Sequence, residues 1–281
     1  MKLIKELKDN NVTKLVYSGE NAVAETVVYN YKERGVICFS VQSGCKVGCV
    51  FCGTGKNFLR DLTREEMDIQ IKDGLKLLKG KKKIQIMAMS MGEPSDNWTE
   101  TYAIAKKYLD KNYYFFVSTV GTNNYKFHGA CLYLGKKYNK FGLQFSLHNP
   151  YEEKRRKLLG NYSKLISLDE ISVLAHFWKE FCEREVYFNY IATGREKEED
   201  FFKIKEIIGE NHLTVSVLCS KTKAEKGNIK KAKDFLSKYL SIFPTAKTKL
   251  FDPEGQDTIG GGCGQLLYVQ ERLKKEKKDK E

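Results

Sequence analysis

The sequence predicts an α/β protein with a parallel sheet, and two observations support this fold class. Short runs of β-branched and aromatic residues alternate with amphipathic helical patterns over most of the 281 residues. The apolar residues within each run are nearly continuous, as in parallel strands that are covered on both faces. Repeated β-then-α units give a parallel sheet with right-handed crossovers, as a partial or complete barrel or as an open doubly wound sheet.

Six runs are predicted to be strands of this sheet. In chain order they are GVICFSV (35–41), IQIMAMS (84–90), YFFVST (114–119), FGLQFSLH (141–148), VYFNYIA (186–192) and LTVSVLC (213–219).

Helical patterns between the strands begin with capping signals. Thr63 precedes Glu66 by three residues at the start of 63–79, and Ser167 precedes Glu170 in the same way at the start of 167–183. The expected organisation is a short helix-and-strand extension over residues 1–34, a core domain over 35–270 and a solvated charged tail over 271–281.

The charge of the chain favours a polyanionic partner. Lys and Arg number 49 against 36 Asp and Glu, so the formal net charge is +13. RNA is the partner that such a chain fits best, although a generally lysine-rich composition would give the same excess. The sequence shows no signal peptide and no apolar run long enough to span a bilayer, so the cytoplasm is the expected location and reduced thiols are expected there.

Four of the eight cysteines fall within fifteen residues, in CFSVQSGCKVGCVFC (38–52). Cys45, Cys49 and Cys52 form a C-x3-C-x2-C motif, which can ligate three irons of a [4Fe–4S] cluster and leave the fourth iron open. The alternative is a structural zinc ion with Cys38 as its fourth ligand.

Unusual polar motifs follow four of the predicted strands. The cysteines follow the first strand, MGEP (91–94) the second, STVG (118–121) closes the third and SLH (146–148) closes the fourth. Because the carboxyl ends of parallel strands meet at one edge, where such folds carry their chemistry, we expect these motifs to form one site.

Together the motifs resemble those of the RlmN/Cfr family of radical S-adenosylmethionine (SAM) RNA methyl synthases. CFSVQSGCKVGCVFCGTG is similar to the family's cysteine block, and RDLTREEM, MSMGEPSDN, STVG, SLHNP and GCGQL follow in the family's order. The similarity runs from about Glu25 to Leu266. It implies a radical-SAM partial (β/α)6 barrel with a short N-terminal β extension, and a [4Fe–4S] cluster and SAM as cofactors.

The resemblance also implies roles for individual residues. Cys45, Cys49 and Cys52 would ligate the cluster. Cys263 would carry a methyl group, Cys38 would resolve the covalent adduct, and Glu25 would accept a proton. SAM would be contacted by the rim motifs, through Gly92, Glu93, Ser118, Ser146, Leu147 and His148.

The implied activity is methylation of an sp2 carbon of adenosine, C2 or C8, in ribosomal or transfer RNA, with flavodoxin or ferredoxin as electron donor. Two alternatives remain open: the same mechanism on a free nucleotide or small molecule, and a non-catalytic iron–sulfur or zinc RNA-binding protein. The sequence departs from the family at Cys219, where an Asn is usual. It also departs before Glu25, where the family's helical RNA-binding domain is replaced by MKLIKELKDNNVTKLVYSGENAVA.

Overall fold

The computed structural model describes residues 1–55, 57–262 and 265–266. Its first three strands are joined by tight turns: β1 Lys2–Asp9, β2 Val12–Gly19 and β3 Ala22–Asn30. They pair in antiparallel fashion, and Asn10 and Asn21 adopt positive φ angles of 45° and 47° at the two turns. The predicted N-terminal helix is therefore wrong: asparagine tolerates the left-handed region, and the resulting turns return the chain onto β2.

Seven parallel strands follow, with a helical crossover between each consecutive pair. The elements are β4 Gly35–Phe39, β5 Gln42–Ser43, β6 Arg60–Asp61, α1 Arg64–Leu77, β7 Ile84–Ala88, α2 Trp98–Asp110, β8 Tyr114–Thr119, α3 Tyr125–Lys137, β9 Phe141–Ser146, α4 Glu152–Leu158, α5 Leu168–Cys182, β10 Tyr187–Ile191, α6 Glu198–Ile208, β11 His212–Ser216, α7 Ile229–Ile242 and β12 Thr248–Phe251.

These strands form one ten-stranded sheet in the order β1-β2-β3-β4-β7-β8-β9-β10-β11-β12, and β5 pairs separately with β6. The pairs from β4 to β12 are all parallel. The α/β prediction and the six predicted parallel strands are confirmed. Within the described residues the sheet has two free edges, β1 and β12, so it is not a closed barrel.

The capping signals work as expected. The Thr63 hydroxyl accepts the amide of Glu66 at 3.3 Å, and the Glu66 carboxylate accepts the Thr63 amide at 3.0 Å. Ser167 and Glu170 form the same reciprocal pair at the start of α5. These bonds satisfy amide donors that the first turn of a helix leaves without partners, and thereby fix where α1 and α5 begin.

The two faces of the N-terminal strands have different neighbours. Leu15, Tyr17 and Ile37 belong to the main core, which also contains apolar residues of the helices. On the other face Lys14 of β2, Val27 of β3 and Cys38 of β4 form one row across three strands. Side chains alternate along a strand, so Glu25, two residues before Val27, lies on the face that carries Cys38.

No helix among the described residues is long and apolar enough to cross a membrane. The charged tail 271–281 and Cys263, both singled out in the sequence, lie outside the described residues.

Candidate active site

The cysteine motif occupies the loop that follows β4, at the carboxyl end of the parallel sheet. The β5–β6 pair closes this loop, and the Leu59 amide donates to the Ser43 carbonyl at 2.8 Å. Gly44 has a φ of 79°, and a Cβ there would lie 1.7 Å from the Asn57 carbonyl oxygen. Only glycine fits this close approach, which brings the two ends of the loop together.

Cys45, Cys49 and Cys52 carry free, half-buried thiols in this loop. Burial, followed by the charge of Cys52, raises the pKa of Cys45 to about 12. The pKa values of Cys49 and Cys52 are also raised, chiefly by burial. The three thiols therefore need a positive partner before they ionise, which an iron cluster supplies.

Backbone amides already point at two of these sulfurs. Val47 and Gly48 donate to Cys45, and Thr54 and Gly55 donate to Cys52. Amide donors of this kind stabilise thiolate ligands and tune the potential of an iron–sulfur cluster. The donor set therefore fits a [4Fe–4S] cluster held by three thiolates.

Cys38 lies apart from the three loop cysteines. It packs with Val27, Met91 and Leu266, whereas Cys45 and Cys49 pack against a separate group of apolar residues. This placement argues against the zinc alternative, which requires Cys38 as the fourth ligand of one ion. No three Cys, His, Asp or Glu side chains in the described parts of the chain surround a point where a single metal ion could bind.

Gly92 and Glu93 lie in the loop after β7. Gly92 has a φ of 100°, and a Cβ there would lie 2.6 Å from the Gln42 side chain. The Glu93 carboxylate is buried and accepts hydrogen bonds from the Thr119 hydroxyl at 2.6 Å and the Val120 amide at 2.9 Å. Burial raises the pKa of Glu93 in spite of these donors. The charge of Glu93 contributes to the raised pKa values of Cys45 and Cys49, which places the carboxylate within electrostatic reach of the cysteine loop.

The remaining predicted SAM contacts lie at the ends of β8 and β9. The half-buried Ser118 hydroxyl accepts a hydrogen bond from the Gln144 amide group at 3.0 Å. Ser146 is half-buried at the last position of β9. Leu147 is fully buried in the core, and its amide donates to the Asn189 carbonyl at 2.9 Å.

His148 connects this rim to the cysteine loop. Its ring meets the Phe51 ring edge-on at 5.0 Å, and Phe51 stands between Cys49 and Cys52 in the sequence. Burial, with the nearby Arg155 charge as a second cause, lowers the pKa of His148 to about 3. The imidazole is therefore neutral near pH 7, and its buried Nδ1 has no hydrogen-bond partner in the described part of the chain. An orphaned polar atom at this position fits a site that receives a polar ligand.

Glu25 and Cys38 share a face of the sheet, as the register requires. The Glu25 carboxylate is fully buried and lies 2.6 Å from the Nζ of Lys14, which is itself 2% exposed. Cys38 is half-buried, and Leu266 packs in the same apolar cluster. The structure therefore brings Glu25, Cys38 and the segment around residue 265 to one side of β2, β3 and β4.

The segment Gly260–Leu266, with residues 263 and 264 outside the description, is anchored at both ends. Lys14 Nζ donates to the carbonyls of Gly260 and Gln265 at 3.1 Å each, and the Tyr29 hydroxyl donates to the Gly261 carbonyl at 2.8 Å. The Thr54 hydroxyl of the cysteine loop donates to the Leu266 carbonyl at 3.4 Å. Described residues on both sides of positions 263 and 264 are therefore bonded to β2, β3 and the cysteine loop.

Two buried cations were missed in the sequence. Lys14 stands in the strand VTKLVYSG, where a single lysine among apolar residues gives no sign of its partners. Arg155 is fully buried and donates to the carbonyls of Val120 and Ile166. The burial of Lys14 could have been predicted from its spacing. It lies two residues from both Val12 and Val16, which face inward, and side chains two residues apart in a strand share a face.

Comparisons with known proteins agree with this arrangement. The family model described as "Radical SAM superfamily" matches residues 39–208. A "Probable dual-specificity RNA methyltransferase RlmN" from Carboxydothermus hydrogenoformans is 30% identical over 88% of this chain and 73% of its own length. The protein of the same name from Clostridioides difficile is 27% identical over 92% of this chain and 76% of its own length.

Solved structures show the same fold. The crystal structure of a radical SAM methyltransferase from Sphaerobacter thermophilus superposes with a TM-score of 0.79 at 23% identity, over 94% of this chain and 80% of that one. A family model that matches more than half of the sequence and a 30% identical relative together give one conclusion. The chain belongs to the radical SAM superfamily and, within it, to the RlmN family of methyltransferases, whose cofactors are a [4Fe–4S] cluster and SAM.

Proposed function

We propose that this chain methylates C2 or C8 of an adenosine in RNA through a methyl-Cys263 intermediate that Cys38 resolves. The observation that carries the proposal is the shared sheet face: Cys38, Glu25 and the anchored segment 260–266 lie together, on the side of the cysteine loop. The RlmN relatives are named as RNA methyltransferases, which supports the choice of RNA.

The cluster and SAM would be held by residues that the rim already gathers. Cys45, Cys49 and Cys52 would ligate the cluster, and Glu93 would receive the SAM amino group. When bound, the pair supplies one-electron cleavage of SAM, chemistry that an electron-poor sp2 carbon requires because it cannot displace a methyl group by itself.

The chain's own residues would perform the remaining steps. The Cys263 sulfur would take a methyl group from one SAM by displacement, with S-adenosylhomocysteine as the leaving group. One hydrogen atom of that methyl group would pass to the radical that cleavage of a second SAM supplies, and the remaining methylene carbon would join the base. Glu25, buried and 2.6 Å from a lysine ammonium, would then accept the ring proton, and the unpaired electron of the adduct would return to the cluster. The Cys38 sulfur would then attack the Cys263 sulfur, form a transient disulfide and release the product.

Electrostatics support a nucleic-acid substrate. The loop after β11 and the start of α7 carry an exposed basic segment, defined as residues 221–233, with lysines at 221, 223, 226, 230, 231 and 233 against a single acidic residue, Glu225. Lys221 Nζ donates to the Val50 carbonyl of the cysteine loop at 2.5 Å. The segment therefore borders the site, where it could receive the phosphates of an RNA whose target base has left its stack.

The test is to incubate the reconstituted enzyme, a reductant and methyl-labelled SAM with total RNA and, separately, with free nucleotides. Nuclease digestion and mass spectrometry of the RNA should locate the label on C2 or C8 of adenosine. Label on nucleotides alone would support the small-molecule alternative. The absence of label from both, with SAM cleavage intact, would overturn the proposal.

A further inference from the structure

Lys14 is a lysine in an unusual place. It lies in the middle of β2, faces the side of the sheet that carries Cys38, and is 2% exposed. Burying an ammonium group is costly unless charge and hydrogen bonds compensate it, so a lysine at this depth requires a specific set of partners.

The partners of Lys14 come from two parts of the site. Its Nζ lies 2.6 Å from the Glu25 carboxylate and 3.1 Å from each of the carbonyl oxygens of Gly260 and Gln265. The carboxylate supplies the opposite charge, and the two carbonyl oxygens accept hydrogen bonds from the ammonium group. The two carbonyls bracket residues 261–264, the stretch that contains Cys263.

We propose that Lys14 is a positioning residue that holds Gly260 and Gln265, the residues bonded to it on either side of Cys263, over the sheet and fixes them relative to Glu25. The inference rests on the proposed function, since it assigns Lys14 to the loop of the methyl-carrying cysteine. The Lys14 ammonium group contacts the Glu25 carboxylate and both flanking carbonyls, so it helps to fix the distance of these carbonyls from Glu25. Misplacement of a reacting group by about 1 Å can cost roughly a hundredfold in rate.

Two other contacts that the described residues make with the segment differ in kind from the Lys14 contacts. Tyr29 donates a neutral hydrogen bond to Gly261, and the Gln265 side chain bonds mainly to the backbone of residues 223, 225 and 256. Neither contact reaches Glu25. Charged donors form stronger hydrogen bonds than neutral ones, so the Lys14 bonds dominate the attachment of the segment to β2.

The test compares two variants that differ only at position 14. Glu25→Gln removes the base but leaves Lys14 bonded to both carbonyls. Lys14→Met/Glu25→Gln removes both charges and is expected to preserve folding, and the wild type is measured beside both variants because Glu25→Gln leaves the buried Lys14 ammonium without its carboxylate. If the second protein fails to load iron, Lys14→Gln/Glu25→Gln takes its place. Two readouts are made on the iron-loaded proteins: methylation of Cys263 by SAM, from intact mass, and amide hydrogen exchange of peptide 257–266 with β8 as reference.

We expect the double variant to exchange peptide 257–266 faster and to methylate Cys263 roughly tenfold more slowly than Glu25→Gln, because two charge-assisted hydrogen bonds are removed. Equal exchange in the two variants overturns the proposal. Faster exchange with unchanged methylation also overturns it, because the Lys14 contacts then have no role in positioning. If wild-type Cys263 accepts no methyl group, the proposed function fails, and hydrogen exchange alone decides whether Lys14 holds the segment.

Discussion

The Thr119 hydroxyl at the end of β8 donates a 2.6 Å hydrogen bond to Glu93 in the loop after β7. Glu93 is buried, and burial raises its pKa, so each donor to the carboxylate favours the ionised form that could bind an ammonium group. The contact joins neighbouring strands at the rim. Under the proposed function, in which Glu93 binds the SAM amino group, this bond makes Thr119 a determinant of SAM binding that does not need to touch SAM.

Thr119→Val should therefore raise the Kd for SAM roughly tenfold, the effect of removing one hydrogen bond to a charged group. The pKa of Glu93 is already raised, so SAM affinity should fall as the pH drops through it. As the pH is lowered, the variant should begin to lose SAM affinity at a higher pH than the wild type, because its Glu93 carboxylate takes up a proton more easily. Equilibrium binding of SAM between pH 5 and 8 measures both effects.

Thr26→Val is the matched control for this substitution. The Thr26 hydroxyl is equally buried and donates a 2.8 Å hydrogen bond to Gln70 rather than to Glu93. It should change stability without changing SAM affinity or its pH dependence. A Thr119→Val protein with wild-type affinity across this pH range would contradict the role given to Glu93.

Cys45→Ala, Cys49→Ala and Cys52→Ala should each abolish cluster assembly. A site with three thiolates has no spare ligand, so the removal of one leaves an iron exposed and labile. Iron and sulfide analysis and the visible absorbance of the anaerobically reconstituted proteins test this. Cys131→Ala is the control, because that thiol is buried between helices and strands of the main core. Full iron content in any of the three loop variants would remove the cluster assignment.

Asp68 on α1 is expected to contribute to stability. Burial opposes its ionisation, but hydrogen bonds from Lys107, Lys72 and Tyr108 lower its pKa to about 2. Asp68→Asn should lower Tm by roughly 2–4 °C for each kcal/mol of destabilisation. The wild-type advantage should be complete above the unfolded-state pKa near 4 and fall as the pH drops toward 2. Asp110→Asn, which breaks the exposed pair with Lys106, should change Tm little.

The strands that were predicted correctly are recognisable from their own residues, whereas the elements that were missed are not. The run from Tyr114 to Thr119 is apolar enough to be identified without knowledge of its neighbours. Strand β12 has only four residues, two of them polar or charged, and it forms because β11 offers it a parallel edge. The predicted N-terminal helix does not form, because pairing of β1 with β2 overrides a helical pattern that is weak in this charged segment.

The residues of the site differ in the same way: some could be placed from the sequence and others could not. Glu93 and the loop cysteines could be placed from the sequence because they follow strands whose carboxyl ends must meet. The ion pair of Lys14 with Glu25 could not, because it depends on antiparallel register between β2 and β3. The bonds from Lys14 to Gly260 and Gln265 span about 250 residues, and no local pattern encodes such a contact.

RNA binding, if the proposed function holds, should depend strongly on salt and on the basic segment 221–233. Lys223, Lys226 and Lys230 are exposed within it. Binding to single-stranded RNA weakens with salt, and the slope of the logarithm of the binding constant against the logarithm of the salt concentration reports how many phosphates are neutralised. Changing these three lysines to Gln should reduce the magnitude of this slope by about 0.7 for each phosphate that is no longer neutralised. Filter binding of RNA at several salt concentrations measures the slope.

A second triple variant gives the control for the RNA experiment. Lys79, Lys82 and Lys83 are equally exposed, but they lie at the turn between α1 and β7, at the amino end of the parallel strands and opposite the site. Changing them to Gln removes the same charge and should leave the slope nearly unchanged. Equal slopes for the two triple variants would mean that net charge, rather than the basic segment, determines binding.

Cys38→Ala should stop the proposed reaction at a covalent adduct. Cys38 lies on the sheet face against which Leu266 packs, and the proposed mechanism assigns to its thiol the attack on the Cys263 sulfur. Without that thiol the enzyme should still cleave SAM, methylate Cys263 and attack the base, but it could not release the product. The adduct should survive denaturation and appear as an added mass on the protein, larger for RNA than for a nucleotide.

Three further variants make this outcome specific. Cys263→Ala should load a full cluster, accept no methyl group and form no adduct, and Cys38→Ala/Cys263→Ala should behave in the same way. Cys182→Ala, which removes a buried thiol on α5, should turn over without an adduct. Multiple turnover by Cys38→Ala would show that another group releases the product. In that case Cys38 would not be the resolving cysteine, and the release step of the proposed mechanism would have to be abandoned for this chain.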